Sequence, residues 1–123
     1  MKKKVFLIIV LILVGLAGFN FCSGQTSKDK LKEGDMIFHI SQSQQSPLIQ
    51  YATKSTLSHC GIIIEKKDGL YVLEATGTLR LTPIDKFINR GKGKQWWAKR
   101  VIDDPIKIKY KNLLGRKYDL SFK

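Results

Sequence analysis

Cysteine and cofactor-binding motifs are scarce in this 123-residue chain. Its two cysteines, Cys22 and Cys60, are not paired at the spacing of a zinc motif, and the histidines His39 and His59 have no metal-ligand motif around them. There is also no Walker loop and no glycine-rich dinucleotide fingerprint. The sequence therefore predicts no metal site and implies no cofactor.

Acidic residues are also few. Ten of them stand against 22 lysines and arginines, which gives a formal net charge of +12. Such a charge attracts polyanions, although a solvated basic surface is an equally simple interpretation. A hydrophobic content of 43% excludes collagen, a coiled coil and wholesale disorder, so the prediction is one small globular domain.

The N-terminus has the pattern of a secretory signal. Residues 2–4 are lysines, and an uncharged apolar run follows over residues 5–19. Small residues favour cleavage after Gly24, so we expect a signal peptide over 1–24 and an exported, periplasmic or extracellular protein. Two alternatives remain, an uncleaved membrane anchor through residues 5–21 and a lipid attached to Cys22. Export favours anionic lipid or acidic envelope polymers as partners, and no nucleic acid is expected.

The exported chain is predicted to begin with a linker. Residues 25–33 are polar and charged without an apolar period, and the folded domain is predicted to cover 34–123, starting near Gly34. Removal of residues 1–24 leaves a formal charge of about +9 and one cysteine, Cys60. No internal disulfide can form, so the stability of the domain must come from its core.

Short apolar runs alternate with turn signals and predict mixed α and β structure. An Asp-Gly pair at 68–69 lies between two runs rich in β-branched and aromatic residues, which predicts a hairpin with strands over 58–65 and 70–75. Further strands are predicted over 35–40 and 95–102. The predicted helices are two short ones that begin at Ser46-Pro47 and Thr82-Pro83, and one over 103–114.

His59 stands at the start of an apolar strand, where a rigid element holds the imidazole in a position suited to a base. Successive side chains of a strand point to opposite faces, so Cys60 cannot serve as the nucleophile that His59 activates. Cys60 is instead predicted to pack in the core. From spacing alone, His59 is interpreted either as a functional base or as a structural histidine.

Glu74 is an acid among apolar residues in the next predicted strand, and the hairpin can bring it beside His59. A buried carboxylate needs a partner. A carboxylate bonded to the far imidazole nitrogen orients the ring, which is the third role in a catalytic triad. The plain alternative is an exposed residue at the sheet edge, and the residues alone leave both interpretations open.

Five short motifs occur in an order that resembles one enzyme family. They are Gly34-Asp35-Met36-Ile37-Phe38, Gln45-Ser46, Ser58-His59-Cys60-Gly61-Ile62, Glu74-Ala75 and Leu81-Thr82-Pro83. Together they are similar to the YiiX/YebB-like cysteine hydrolases, which are circularly permuted relatives of the NlpC peptidases. The resemblance runs from Gly34 to Phe122. It implies an α+β, papain-like fold with an antiparallel sheet, short flanking helices and a histidine that precedes the nucleophilic cysteine.

The resemblance also implies roles for individual residues. It makes His59 the general base and Glu74 the orienting acid, and it places Gln45 and Ser46 in a polar stretch near the substrate cleft. The implied chemistry is amide or ester cleavage, or acyl transfer, through a thioester. The implied substrates are peptides, cell-wall material or lipids.

The last residues resemble the segment that precedes the family's nucleophilic cysteine. Residues 114–122 are similar to its Gly-x-x-Tyr-Asp stretch, which normally leads into a Cys-Ser-Glu-Leu helix that carries the reactive thiol. The sequence reaches Lys123 without that helix. We therefore expect an incomplete domain without hydrolytic activity.

Two other interpretations remain open. In one, the protein is a non-catalytic binder whose basic surface, with Trp96 and Trp97 between Lys94 and Lys99, holds an anionic envelope polymer or lipid. Those tryptophans are equally explained by core and edge packing. In the other, a frameshift or an early stop has left a fragment of the complete enzyme.

Overall fold

A five-stranded antiparallel sheet forms the centre of the fold in the computed structural model, which describes residues 27–117. Its strand order is β4-β3-β2-β1-β5. The elements are, in chain order, β1 (Met36–His39), α1 (Ser46–Thr53), β2 (His59–Lys66), β3 (Gly69–Thr76), β4 (Thr78–Pro83), α2 (Ile84–Arg90) and β5 (Trp96–Lys99). The α+β prediction is confirmed. The predicted signal peptide and Tyr118-Asp119 of the C-terminal motif lie outside the described residues.

The predicted hairpin is present as β2 and β3. Lys66 pairs with Gly69, so residues 67 and 68 form the loop. Gly69 has a φ of +136°, a backbone conformation that residues other than glycine rarely adopt. The predictions over 35–40 and 95–102 correspond to β1 and the shorter β5, and the two short predicted helices to α1 and α2.

One face of the sheet carries both the core and the candidate site. The registers pair Ile37 with Gly61 and Ile63 with Val72, which places these four residues on the same face as His59. The buried core cluster consists of Leu31, Ile37, Ile63, Val72, Ile84, Phe87 and Trp96. Because Ile84 and Phe87 come from α2, this helix packs on the face that holds the candidate site.

Residues before Gly34, within the range predicted as a linker, pack against the folded domain. Leu31 is 7% exposed and belongs to the core cluster. Glu33 accepts hydrogen bonds from Lys107 Nζ and from the backbone N–H of Ile108, at 2.8 Å each. At least residues 31–33 are therefore part of the folded unit, because tertiary contacts outweigh their polar local sequence.

The prediction of a helix over 103–114 is wrong. Residues 101–110 form no regular element, and a single 3₁₀ turn follows over Lys111–Leu113. Ile106, Ile108 and Tyr110 are half-buried while Lys107 and Lys109 are exposed, which is the alternation of an extended segment. The contacts of this segment with Glu33 favour the extended form.

β4 was not predicted. Thr76 pairs with Thr78 across Gly77, so the turn is too short for the usual hairpin signal. Pro83 ends β4, which is tolerated because β4 lies at the edge of the sheet. Within residues 27–117, no helix is long and apolar enough to cross a lipid bilayer.

Candidate active site

The candidate site lies at the end of the sheet where β1 stops and β2 begins. His39, the last residue of β1, pairs in register with His59, the first residue of β2. The centroids of the two rings are 5.2 Å apart. The two histidines that lie far apart in the sequence are therefore neighbours in the fold.

His59 contacts Glu74, as the hairpin pattern indicated. The distance from His59 Nε2 to Glu74 Oε2 is 2.6 Å, and the side-chain exposures are 19% for the histidine and 0% for the glutamate. Glu74 is thus a buried residue, and the alternative of an exposed acid at the sheet edge is excluded. Because a carboxylate only accepts hydrogen bonds, Nε2 carries the proton and Nδ1 is left as the acceptor.

Glu74 is bonded through both of its oxygens. Besides His59, Arg90 Nη2 donates to Oε2 at 2.5 Å, and Thr82 Oγ1 donates to Oε1 at 2.6 Å. Arg80 Nη2 lies 3.6 Å from Oε1, which is an ion-pair contact without a hydrogen bond. This arrangement supplies the partners that a buried carboxylate needs.

The electrostatic balance favours an ionised Glu74. Burial alone would raise the pKa of this carboxyl, but the hydrogen bonds from His59, Arg90 and Thr82 lower the pKa from 4.5 to about 2. Glu74 is therefore a fixed negative charge at neutral pH. An ionised carboxylate bonded to Nε2 holds the imidazole in one orientation.

Gly61 lies where β2 and the neighbouring β3 leave no space for a side chain. It lies on β2 two residues after His59, on the same face, and an added Cβ would lie 2.3 Å from Val72 Cγ1 and 2.9 Å from the carbonyl oxygen of Leu73. No side chain fits at this position without displacing the neighbouring strand. The glycine of the Ser-His-Cys-Gly motif is thus explained by close packing of β2 on β3.

His39 is buried beneath the site and is uncharged at neutral pH. It is 1% exposed, and its ring stacks on Phe87 with centroids 4.2 Å apart. His39 Nδ1 lies 3.1 Å from the carbonyl oxygen of Phe87, so Nδ1 donates. Burial, with the nearby His59 and Arg90, lowers the pKa of His39 to about 4. His39 is therefore a buried, neutral ring next to the ring of His59.

Ser46 and Gln45 occupy different environments. Ser46 is 4% exposed, and its Oγ donates to Ser58 Oγ at 2.5 Å. Ser58 Oγ also accepts from the backbone N–H of Ser41 at 2.8 Å. Ser46 thus ties α1 to the residue before His59, while the side chain of Gln45 is exposed. The substrate-binding roles of Gln45 and Ser46 stay predictions.

Cys60 lies on β2 directly after His59 and points to the other face of the sheet. Burial raises the pKa of its thiol to about 11, with a further contribution from the charge of Glu74. A thiol with so high a pKa is a poor nucleophile at neutral pH. The structure thus agrees with the prediction that Cys60 is not the partner of His59.

The order and placement of these residues match a known family. The profile described as "Permuted papain-like amidase enzyme, YaeF/YiiX, C92 family" matches residues 30–123. This chain belongs to that family of permuted papain-like amidases. The resemblance found in the motifs is confirmed, and the five-stranded sheet with its flanking helices is the sheet of a permuted papain-like fold.

Two relatives of this amidase-family chain come from Escherichia coli. It is 36% identical over 96 residues to the uncharacterized protein YiiX of strain K12, an alignment that covers 72% of this chain and 48% of YiiX. It is also similar to the crystal structure of metalloprotein YiiX from strain O157:H7, with a TM-score of 0.63 and 34% identity over 72% of this chain and 53% of the other. The chain spans about half the length of both relatives.

The description of the solved relative as a metalloprotein raises the question of a metal site here. In the part of the chain that the structure describes, no group of three or more His, Cys, Asp or Glu side chains is placed to hold a metal ion. His59 Nε2 is bonded to Glu74, and His39 Nδ1 is bonded to the carbonyl oxygen of Phe87.

Four residues around His59 and Glu74 were not predicted as site residues from the sequence: His39, Arg80, Thr82 and Arg90. Arg80 and Thr82 lie on β4, and their contacts with Glu74 follow from the β3–β4 register, which pairs Glu74 with Arg80. Without a predicted β4 there was no signal for them. Arg90 ends α2, and its approach to Glu74 depends on how that helix packs on the sheet.

Proposed function

We propose that this chain carries the base half of a thiol amidase site, with His59 as the general base and Glu74 as the acid that orients it. The observation that carries the proposal is the 2.6 Å contact between His59 Nε2 and Glu74 Oε2. It commits Nε2 as a donor and leaves Nδ1 as an acceptor. Membership of the amidase family supports the choice of reaction class.

In such a site, Nδ1 takes the proton of a thiol, and the thiolate attacks the carbonyl carbon of the amide. The C–N bond breaks while the imidazolium returns the proton to the leaving amine, and water then hydrolyses the thioester. Glu74 holds the ring and stabilises the imidazolium in both steps. His59 and Glu74 handle protons only, so a thiol is needed beside them.

We place that thiol outside residues 27–117. Cys60 points away from His59 and has a raised pKa, and Cys22 lies in the predicted signal peptide. Neither cysteine of the 123-residue sequence is suited to the role. The 123-residue chain by itself is therefore proposed to have no amidase turnover.

The proposed substrates are amides or esters in peptides, cell-wall material or lipids outside the cytoplasmic membrane. Support for the location is the sequence pattern of lysines at 2–4 followed by an apolar run over 5–19. Support for an anionic environment is the formal net charge of +12.

A second candidate function is binding of an anionic envelope polymer without catalysis. The 3₁₀ turn Lys92–Lys94 presents two exposed lysines next to β5. Trp96 is 6% exposed and belongs to the core, so of the two tryptophans only the half-buried Trp97 is available to a ligand. This reduces the proposed tryptophan pair to one side chain and makes the amidase proposal the stronger of the two.

The test uses the full-length product of the native gene. We expect this product to hydrolyse a fluorogenic peptide amide or ester and to be inactivated by iodoacetamide. Mass spectrometry should locate the modification on a cysteine other than Cys60. His59→Ala should lower kcat/KM by at least about 100-fold, because a positioned base contributes about 10² to 10⁴ in rate.

Cys60→Ser is the matched control, since it removes the neighbouring thiol and leaves His59 in place. It should keep turnover near that of the unsubstituted protein. Loss of activity in Cys60→Ser with retention in His59→Ala would reverse the assigned roles. An inactive gene product that binds anionic polymer equally well with and without His59 would favour the binder instead.

A further inference from the structure

Two arginines converge on the carboxylate that holds His59. Arg90 donates one hydrogen bond to Glu74 Oε2, and Arg80 lies 3.6 Å from Oε1. They come from different elements, the end of α2 and the middle of β4. Each oxygen of this single carboxylate is thus in contact with one guanidinium group.

Both guanidinium groups keep most of their donors for another partner. Each has five N–H donors. Among the described residues, Arg80 makes no side-chain hydrogen bond and Arg90 makes one, to Glu74. The side chains are 48% and 37% exposed, so these donors reach solvent at the rim of the site, while Glu74 is 0% exposed.

The local charge does not balance. Within residues 27–117, Glu74 is the only carboxylate in ion-pair contact with either arginine. One negative charge against two guanidinium groups leaves an excess of about one positive charge beside His59, before any protonation of the imidazole.

We propose that Arg80 and Arg90 form a subsite that binds an oxyanion group, a carboxylate or a phosphate, on the molecule that His59 acts upon. Guanidinium groups suit this role because their planar donors match the geometry of both anions. The proposal rests on the proposed function of His59 and narrows it, because the substrate would carry a negative charge close to its reacting bond.

The structure places this subsite next to the base. Glu74 contacts His59 and both arginines. A group bound by the arginines is therefore separated from the imidazole only by the carboxylate of Glu74. The two arginine side chains are partly exposed whereas Glu74 is not, so an anion from solvent meets the guanidinium groups. The bound oxyanion is thus held at the rim, and the rest of the molecule can extend over His59.

The experiment is a titration of the ¹⁵N-labelled 123-residue chain, followed through the backbone amide signals of Arg80 and Arg90. The probes are an acetylated alanine dipeptide with a free C-terminal carboxylate, the same dipeptide as its C-terminal amide, and inorganic phosphate. We expect saturable binding of the acid, with the amide weaker by about tenfold or more. Phosphate should displace the dipeptide acid if the subsite binds both a carboxylate and a phosphate. Binding of phosphate alone would identify the group as a phosphate.

Arg80→Gln should weaken binding of the preferred anion by about tenfold, and raising the salt concentration should weaken it further. Arg80 is the better variant because it makes no hydrogen bond to Glu74, so its replacement leaves the hydrogen bonds of Glu74 in place. Lys109→Gln is the matched control, with the same loss of charge at an exposed residue. Its neighbour Ile108 is bonded to Glu33, near the opposite end of β1 from His39. Lys109→Gln should bind as the unsubstituted chain does.

The proposal is overturned if the acid and the amide bind equally, if none of the probes binds, or if Lys109→Gln loses as much affinity as Arg80→Gln. None of these readouts requires turnover. Binding that depends on Arg80 in a gene product without amidase activity would therefore keep the subsite and remove the proposed reaction. Activity without anion preference would do the reverse.

Discussion

Replacing Glu74 with alanine is expected to lower the free energy of unfolding by about 2 to 4 kcal/mol. The side chain is fully buried and joins β3 to His59 on β2, to Thr82 on β4 and to Arg90 on α2. Its loss leaves a cavity and three donors without their acceptor. The partly exposed arginine can turn to water, which keeps the effect below that of a fully buried pair. Urea denaturation of both proteins at pH 7 measures the difference.

Glu74→Gln is the matched control, since it keeps the volume and removes the charge. The pKa of Glu74 in the folded state, about 2, lies below its ordinary value of 4.5. The stabilising contribution of the charge is therefore present above pH 4.5 and is lost as the pH falls through about 2. The stability difference between the unsubstituted chain and Glu74→Gln should shrink over that window. A difference that is absent at pH 7, or constant down to pH 2, would contradict the role given to this charge.

Replacing Gly61 with alanine is expected to destabilise the fold by about 3 kcal/mol. The added methyl group would lie 2.3 Å from Val72 Cγ1 and 2.9 Å from the carbonyl oxygen of Leu73. The carbonyl belongs to a central strand, so it cannot move without disturbing the ladder between β2 and β3. The same displacement would shift Glu74 relative to His59. Thermal and urea denaturation measure the loss of stability.

Gly77→Ala is the control that separates the steric clash of an added methyl group from the conformational cost of replacing a glycine. Gly77 has a φ of +73°, but an added Cβ there meets nothing within 4 Å. It should therefore cost less than Gly61→Ala, only the strain of the left-handed conformation. A second comparison adds Val72→Ala to Gly61→Ala, where the removed Cγ1 should recover part of the loss as a favourable coupling energy. Equal costs at both glycines, with no coupling to Val72, would contradict close packing at Gly61.

The contact between His59 and Glu74 was predictable because it depends on local rules. The four residues between the two predicted strands, 66–69, imply a pairing of Glu65 with Leu70, which the structure shows, and strand alternation then decides which side chains share a face. The same alternation separates Cys60 from His59. A local hairpin needs no knowledge of the rest of the fold, which is why the sequence could bring Glu74 beside His59, although it left open whether Glu74 is buried or exposed.

The wrong and missing elements depended on signals that compete. The Asp-Pro pair at 104–105 resembles a helix start, yet Ile106, Ile108 and Tyr110 repeat every second residue, and the structure follows that alternation. Thr82-Pro83 correctly marked the start of α2, but it concealed β4, which ends at the same proline. In both places, the period of the apolar residues predicts the observed structure better than the helix-cap signal does.

The partners of Glu74 from distant elements could not be predicted. Arg90 reaches the site only because Phe87 and Ile84 bury one side of α2 against the sheet, and no local pattern encodes that docking. His39 became part of the site through the pairing of β1 with β2, which joins residues twenty positions apart. Non-local packing of this kind needs the assembled fold.

The most direct test of the central claim is the protonation pattern of the two imidazole rings, measured by ¹⁵N NMR on the 123-residue chain. The account predicts opposite tautomers. His59 should show a slowly exchanging Nε2–H bonded to Glu74 and an unprotonated Nδ1, whereas His39 should carry its proton on Nδ1, bonded to the carbonyl oxygen of Phe87. In Glu74→Ala, which removes the acceptor, the protected Nε2–H of His59 should disappear while His39 stays unchanged. A proton on Nδ1 of His59, or a rapidly exchanging mixture of both forms, would contradict a carboxylate-held base.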